Sequence, residues 1–159
     1  MKKYQHFTVT SQNIQIPQQT FSKNEFFKKK FIWMSDNFGK DILPEIEEII
    51  TPASYVLTSL KLNRSLSDSS IRKILGKDEV VSLHQWAQET CALMEEQSEG
   101  QAGPLLTDGY ANVRYVQSSS GTILAIGVLW IDGVRQWYCC AWELDISLWS
   151  DDCGFFIRS

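Results

Sequence analysis

A turn signal in the C-terminal third constrains the fold more than any other feature of the chain. Asp132-Gly133 separates two long runs of β-branched and aromatic residues, and Asp-Gly between such runs is typical of a two-residue hairpin turn. A loop of three serines and a glycine, Ser118 to Gly121, separates the first run from another β-prone segment upstream. The sequence therefore predicts three antiparallel strands in succession, and their turns decide which side chains share a face.

The predicted register divides these side chains between two faces. Pairing Ile131 with Val134, and Gln117 with Thr122, gives one almost entirely apolar face centred on Leu124, Ile126, Val128 and Trp137. We expect this face to pack on helices. The opposite face is mixed, and we predict that it carries a binding surface formed by Asn112, Arg114, Gly127, Gln136, Tyr138 and Trp142.

Gly127 is the centre of the predicted binding surface. A glycine within a strand leaves a shallow gap that a ring or a ligand can fill, and here it is expected between Asn112 and Tyr138. Arginine, tyrosine and tryptophan are enriched where protein partners bind. Two interpretations stay open: Tyr138 and other parts of the chain cover this face, or another molecule does.

The chain before residue 100 carries several helix-start signals. Thr51-Pro52 combines an N-cap residue with proline at the first helical position, and the segment from Ser82 to Gln85 fits a capping box. Ser67 or Asp68 can cap a further helix that ends at Gly76. We predict helices after these three starts, the last running to about Ser98, and two earlier helical segments, from about Asn24 and from Asp41 to Ile50.

The glycine-containing segment 99–104 interrupts the helical pattern and marks the clearest boundary in the chain. We predict a single domain over 1–159, with a loosely held arm at 1–20, a mainly helical half at 21–99 and an antiparallel sheet half at 105–159. The predicted fold class is α+β, with N-terminal helices packed on one face of a C-terminal antiparallel β-meander of three to five strands.

Composition narrows the class of protein. The hydrophobic fraction of 43% and charged fraction of 21% are those of an ordinary globular chain. A formal net charge of −4 argues against a general nucleic-acid binder. The sequence has neither an apolar run after its first residues nor the roughly 20 apolar residues of a membrane helix. We therefore expect a cytoplasmic protein without a membrane partner, whose cysteines (Cys91, Cys139, Cys140 and Cys153) are small apolar core residues in a reducing compartment.

No motif for catalysis emerges from the sequence. His6 and His84 are isolated, nothing in the pattern brings His84 and Cys153 together, and Gly-x-Ser-x-Gly and His-Glu-x-x-His are absent. The acidic residues near the C-terminus, Glu143, Asp145, Asp151 and Asp152, do not have the spacing of a calcium-binding loop. We expect no catalytic residues, no metal site and no cofactor, and a protein that is not an enzyme.

The resulting hypothesis is a non-catalytic cytoplasmic binding protein. Its mixed sheet face would engage a protein partner or a second copy of the chain as a homodimer. A second hypothesis is a small-molecule-binding protein or enzyme, with a pocket between sheet and helices lined by Arg114, Tyr138 or Asp108. A third is a nucleic-acid-binding accessory protein that uses Lys28–Lys30 and the aromatic residues beside them.

Overall fold

The computed structural model describes residues 4–51, 53–145 and 148–159. Within these ranges the strands are β1 (Phe7–Ile16), β2 (Phe21–Ser22), β3 (Ile32–Met34), β4 (Ile49–Ile50), β5 (Tyr55–Leu62), β6 (Val80–Ser82), β7 (Asn112–Gln117), β8 (Ile123–Ile131), β9 (Gln136–Glu143) and β10 (Gly154–Arg158). Eight of them form one sheet in the order β1-β5-β10-β7-β8-β9-β3, with β6 also paired to β7, while β2 and β4 form a separate small ribbon. The sheet is mixed, because β10 and β6 run parallel to β7 and β3 runs parallel to β9.

The helices are short: α1 (Lys23–Phe27), α2 (Asp68–Leu75), α3 (Leu83–Trp86) and α4 (Ala92–Glu96), with π-helical segments at 38–42 and 87–91 and 3₁₀ turns at 43–45 and 77–79. The π-helical segment 87–91 joins α3 to α4, and we call the continuous unit 83–96 the long helix. Two predicted caps are confirmed, since the hydroxyl oxygens of Ser67 and Ser82 accept from the backbone N–H groups of Ser70 (3.3 Å) and Gln85 (3.1 Å). Among the described residues, no helix has the length and apolar character that crossing a membrane requires.

The predicted fold class is wrong. The sheet is a mixed one of eight strands, not an antiparallel meander of three to five, and the segment 21–99 contributes β2 to β6 beside only short helices. The difference is clearest in β5, which the Thr51 signal predicts as a helix (Pro52 lies outside the described residues). Tyr55, Val56 and Thr58 favour a strand, and β5 pairs with β1 on one side and with β10 on the other. These pairings join distant parts of the chain, so local helix signals do not reveal them.

Residues 7–16, within the expected loosely held arm, form the ten-residue strand β1 at one edge of the sheet. The register with β5 shifts between Val9 and Ser11 and again between Ser11 and Ile14, and Asn13 has a φ of 54°. Bulges of this kind are common at sheet edges, where they discourage pairing with another chain.

The β8–β9 hairpin has a longer loop than Asp132-Gly133 predicts. Ile131 pairs with Gln136 rather than Val134, so the register differs by two residues and every side chain keeps its predicted face. The longer loop makes Trp130 and Trp137 direct cross-strand partners, with ring centroids 5.5 Å apart. Cross-strand aromatic contact stabilises a hairpin, and this favours the observed register over the tighter turn.

The β7–β8 connection differs from the prediction by one residue, which has a larger consequence. Gln117 pairs with Ile123, not Thr122, because the loop closes through a hydrogen bond from the Ser118 N–H to the Thr122 carbonyl (2.8 Å), with Gly121 at a φ of 87°. A shift of one residue moves every β7 side chain to the opposite face of the sheet.

Both faces of the sheet are covered by other parts of the chain. The inner face, which carries Ile126, Val128 and Trp137, packs on the long helix through Trp86 and Met94, as predicted. The outer face, which carries Ala125, Gly127 and Leu129, lies in a second core with Ile71 and Leu75 of α2 and with Trp149 and Cys153 from the C-terminal segment. The coverage of the outer face is incomplete, and one accessible part is its β9–β3 end, where Trp33 is 55% exposed.

Candidate functional site

The structure separates the six residues predicted for the binding surface. Gly127, Gln136, Tyr138 and Trp142 share the outer face, as expected. Asn112 and Arg114 instead lie on the inner face, opposite Val128 and Ile126. Their predicted place beside the other four is wrong, and the cause is the extra residue in the serine loop.

Asn112 is a buried residue that organises the chain before β7. Its side-chain N–H groups donate to the carbonyl oxygens of Val128 and Leu106, both at 3.1 Å, and its Oδ1 accepts from the Leu106 N–H at 2.8 Å. All of these partners are backbone groups of the same chain. Asn112 therefore holds a loop in place and does not offer a polar group to a ligand.

Arg114 lies in a buried network of charged groups. Its Nη2 donates to Glu89 Oε2 and Oε1 at 3.1 and 3.2 Å, and its Nε lies 3.3 Å from Oε2. Its Nη1 reaches Glu79 Oε2 at 3.1 Å and the Phe156 carbonyl oxygen at 2.7 Å. The side chains of Arg114 and Glu89 are only 3% and 1% exposed, so this pair joins the sheet to the long helix and does not meet solvent.

Trp142, rather than Tyr138, covers the gap at Gly127. An ideal Cβ built on Gly127 would lie 2.5 Å from Trp142 Cζ3, which leaves no room for a side chain. The cross-strand neighbours of Gly127 are Val113 and Cys140 instead of the expected Asn112 and Tyr138. The glycine is therefore filled by a ring from β9, in agreement with the interpretation that the chain covers its own gap.

Tyr138 lies further along the outer face, where the sheet ends at β3. It pairs with Leu129 on one side and with Trp33 on the other, so three side chains form a row across β8, β9 and β3. The rings of Trp33 and Tyr138 are 4.7 Å apart, and Trp33 is 55% exposed. We call Leu129, Tyr138 and Trp33 the aromatic row; it ends in an exposed tryptophan on a short edge strand.

A cleft opens on the outer face where β9 ends. The rings of Trp142 and Trp149 meet there at 86° with centroids 5.1 Å apart. The Trp149 Nε1–H donates to Asp68 Oδ1 at 2.6 Å, and the buried Asp68 carboxylate also accepts from the Tyr115 hydroxyl at 2.7 Å and the Asp145 N–H at 2.8 Å. Burial, followed by the hydrogen bond to Asp68, raises the pKa of Tyr115 well above its usual value.

The nucleophilic side chains are poorly placed for catalysis. All four cysteines are buried and free, and burial raises the pKa of each thiol, to about 11 for Cys140. Cys153 Sγ lies 3.6 Å from the Ser150 hydroxyl, whereas His84 Nε2 lies 3.6 Å from Glu47. The two members of the conceivable Cys–His pair thus have different partners.

Several of the side chains considered for nucleic-acid or metal binding have partners within the chain. Lys29 forms an ion pair with Glu95 at 3.2 Å, and the neighbouring Phe26 is buried while Phe27 and Phe31 pack against the core. These rings are not free to stack on bases. The C-terminal acidic residues do not converge, because Asp145 accepts from Ser69 and Asp152 pairs with Lys61.

Sequence reasoning missed three residues that shape the outer face: Trp33, Trp149 and Asp68. Trp33 contacts Tyr138 because β3 pairs with β9 in parallel, and no local sequence pattern predicts that pairing. The local pattern identifies Asp68 only as a possible helix cap, although it lies close to Trp149, 81 positions further along the chain. The density of tryptophan around 130–149 is the one signal in the sequence that points to the cleft.

No family model matches the chain, and neither a curated protein nor a solved structure shows significant similarity to it.

Proposed function

We propose that this protein is a non-catalytic binding protein that engages a protein surface through the aromatic row. The observation that carries the proposal is the exposed Trp33 ring in tilted contact with Tyr138 at the edge of the sheet. Tryptophan and tyrosine dominate the binding energy of many protein interfaces, and a large exposed ring on a rigid strand is costly to leave in water. Gln136, which is half-buried on the same face, supplies polar groups at the rim.

The thiol environments support binding over catalysis. A cysteine whose pKa is raised by burial is protonated at neutral pH and is a weak nucleophile. We also propose that the protein acts in the cytoplasm, where four buried free thiols stay reduced without a disulfide partner.

The partner is a second copy of the chain or a different protein, and one set of variants distinguishes them. The double variant Trp33→Ala/Tyr138→Ala removes the two rings, and Ile49→Ala, which truncates a residue 57% exposed on the β2–β4 ribbon, is the matched control. Light scattering after size-exclusion chromatography measures self-association over a range of concentrations. Affinity capture with the same three proteins measures binding to another protein.

We expect the wild type and Ile49→Ala to associate equally and the double variant to lose the association. A wild-type dimer identifies self-association, and a monomer that retains a partner identifies a different protein. The proposal is wrong if the double variant associates as the wild type does, or if the wild type neither dimerises nor retains a partner. Urea unfolding of all three proteins verifies that the double variant is folded.

A further inference from the structure

The cleft on the outer face is a site distinct from the aromatic row, which it touches only at Leu129. It encloses about 340 Å³ between β8, β9, the N-terminus of α2 and the segment 148–150. Its walls include the rings of Tyr110, Trp142 and Trp149. A volume of this size lies at the lower end of the range for small-molecule sites, roughly 300–1,000 Å³.

Both indole rings of the cleft are held in place before any ligand arrives. Trp142 is fixed against the backbone of Gly127, where its ring takes the space of a side chain. Trp149 is fixed by the 2.6 Å hydrogen bond from its Nε1–H to Asp68. The two rings are nearly perpendicular and together form a rigid aromatic corner. Ring faces carry the negative end of the aromatic quadrupole and attract cations.

The charged groups of the cleft favour a cation as well. Its lining in the described part of the chain includes Asp68 and Glu143 and no lysine, arginine or histidine, but the Glu143 side chain, on the same face as Leu124, points to the inner face of the sheet. Asp68 is 2% exposed, and its three hydrogen-bond donors, from Tyr115, Trp149 and Asp145, are all neutral. The buried Asp68 carboxylate, whose hydrogen-bond donors are neutral, gives the cavity a negative potential.

We propose that this cleft binds a small organic cation with a quaternary ammonium group. The Asp68 oxygens already accept three hydrogen bonds, so a primary ammonium ion would find few free acceptors, whereas a methylated nitrogen needs none. Its methyl groups fit walls formed by Leu129 and the indole rings, and its charge faces the ring surfaces and the Asp68 carboxylate. This inference goes beyond the proposed function, because it uses neither Trp33 nor Tyr138.

Choline and its neutral carbon isostere 3,3-dimethylbutan-1-ol form the decisive pair of probes. They have nearly the same shape and differ in charge, so cation recognition predicts that choline binds about tenfold more tightly. Isothermal titration calorimetry and the change in tryptophan fluorescence measure both. Equal affinities would show a merely apolar cavity and overturn the proposal, as would the absence of choline binding at millimolar concentrations.

Variants locate the binding. Tyr110→Leu removes the exposed ring of the cleft but keeps an apolar side chain, and we expect it to weaken choline binding roughly threefold to tenfold. Tyr138→Leu, on the aromatic row, makes the same change outside the cleft and should leave the affinity unchanged. Trp142→Leu should abolish binding, and urea unfolding tests whether it is folded. Equal affinity in Tyr110→Leu and the wild type would overturn the assignment even if Trp142→Leu does not fold.

The trimethylammonium group occurs both in small metabolites and in trimethylated lysine side chains. A short peptide containing trimethyllysine, measured beside choline, distinguishes the sources: tighter binding of the peptide indicates a modified protein, and equal or weaker binding indicates a free small molecule. Because this experiment uses the cleft alone, its failure leaves the proposal for the aromatic row intact, and the reverse also holds.

Discussion

Replacing Arg114 by methionine tests the observed register of the sheet most directly. Methionine keeps much of the length of the side chain but removes five hydrogen bonds, three of them to Glu89. Glu89 is 1% exposed. Of its observed side-chain hydrogen bonds in the described part of the chain, it would keep the one that its Oε1 accepts from the Gln85 Nε2–H at 2.6 Å. Removing one member of a buried ion pair costs about 3–5 kcal/mol. Because the free energy of unfolding of a small domain is roughly 5–15 kcal/mol, the variant should lose a large share of its stability.

The second variant, Arg114→Met/Glu89→Gln, separates loss of packing from the effect of an unpaired charge. Neutralising Glu89 should restore about 1–3 kcal/mol relative to the single variant, because it removes a buried charge that lacks a counter-ion. Urea unfolding followed by tryptophan fluorescence measures all three free energies, and Arg64→Met, on an exposed arginine between β5 and α2, should change them by no more than about 0.5 kcal/mol. The reasoning is refuted if Arg114→Met costs less than about 1 kcal/mol, as expected for an arginine on the accessible face.

Three further predictions concern the outer face and the cysteines. Burial and the hydrogen bond to Asp68 raise the pKa of Tyr115, so the native phenol keeps its proton above about pH 10, where an unfolded tyrosine loses it. The free energy of unfolding should therefore fall as the pH rises beyond about 10, and it should fall less steeply in Tyr115→Phe. Urea unfolding between about pH 9 and 11 measures both slopes. Gly127→Ala should displace Trp142, cost about 1–3 kcal/mol and shift the fluorescence emission, and an unchanged spectrum would mean that another group covers the glycine. The native thiols, Cys140 included, should react with Ellman's reagent far more slowly than in urea, and a native thiol that reacts rapidly at neutral pH would contradict the burial of these cysteines.

The features that sequence reasoning found are those with local causes. The bond from a backbone N–H to the hydroxyl of a serine three residues earlier involves only neighbouring residues. The helix starts at Ser67 and Ser82 can therefore be predicted without knowledge of the rest of the fold. The β8–β9 hairpin is likewise local, and its strands and faces follow from the alternation of large apolar residues around Asp132-Gly133. The loop is two residues longer than its turn signal suggests, but an even difference leaves the faces intact.

The features that sequence reasoning missed depend on pairings between distant segments. β5 lies between β1 and β10, which are about 50 and 100 positions away in the chain. The hydrogen bonds with these two strands outweigh the local helix-start signal, and a local sequence pattern contains no information about them. β3 joins β9 in parallel, which makes Trp33 a neighbour of Tyr138 across more than 100 positions. Local sequence patterns could therefore predict neither the order of most strands in the sheet nor the contact of Trp33 with Tyr138 on the outer face.

The serine loop shows how a single residue decides the chemistry of a surface. Had the β7–β8 connection been one residue shorter, Arg114 would lie on the outer face, where it could donate hydrogen bonds at the rim of the cleft beside Trp142. With the observed length it lies under the sheet, where Glu89 balances its charge, and the described lining of the cleft beside Trp142 includes no basic side chain. A cation-binding cleft is consistent with this arrangement, because an arginine at its rim would repel the ligand and compete for the same ring faces. Changing the parity of this loop, by deleting Ser119 for example, should therefore unfold the protein rather than redesign its surface, since Arg114 would leave Glu89 buried without its counter-ion.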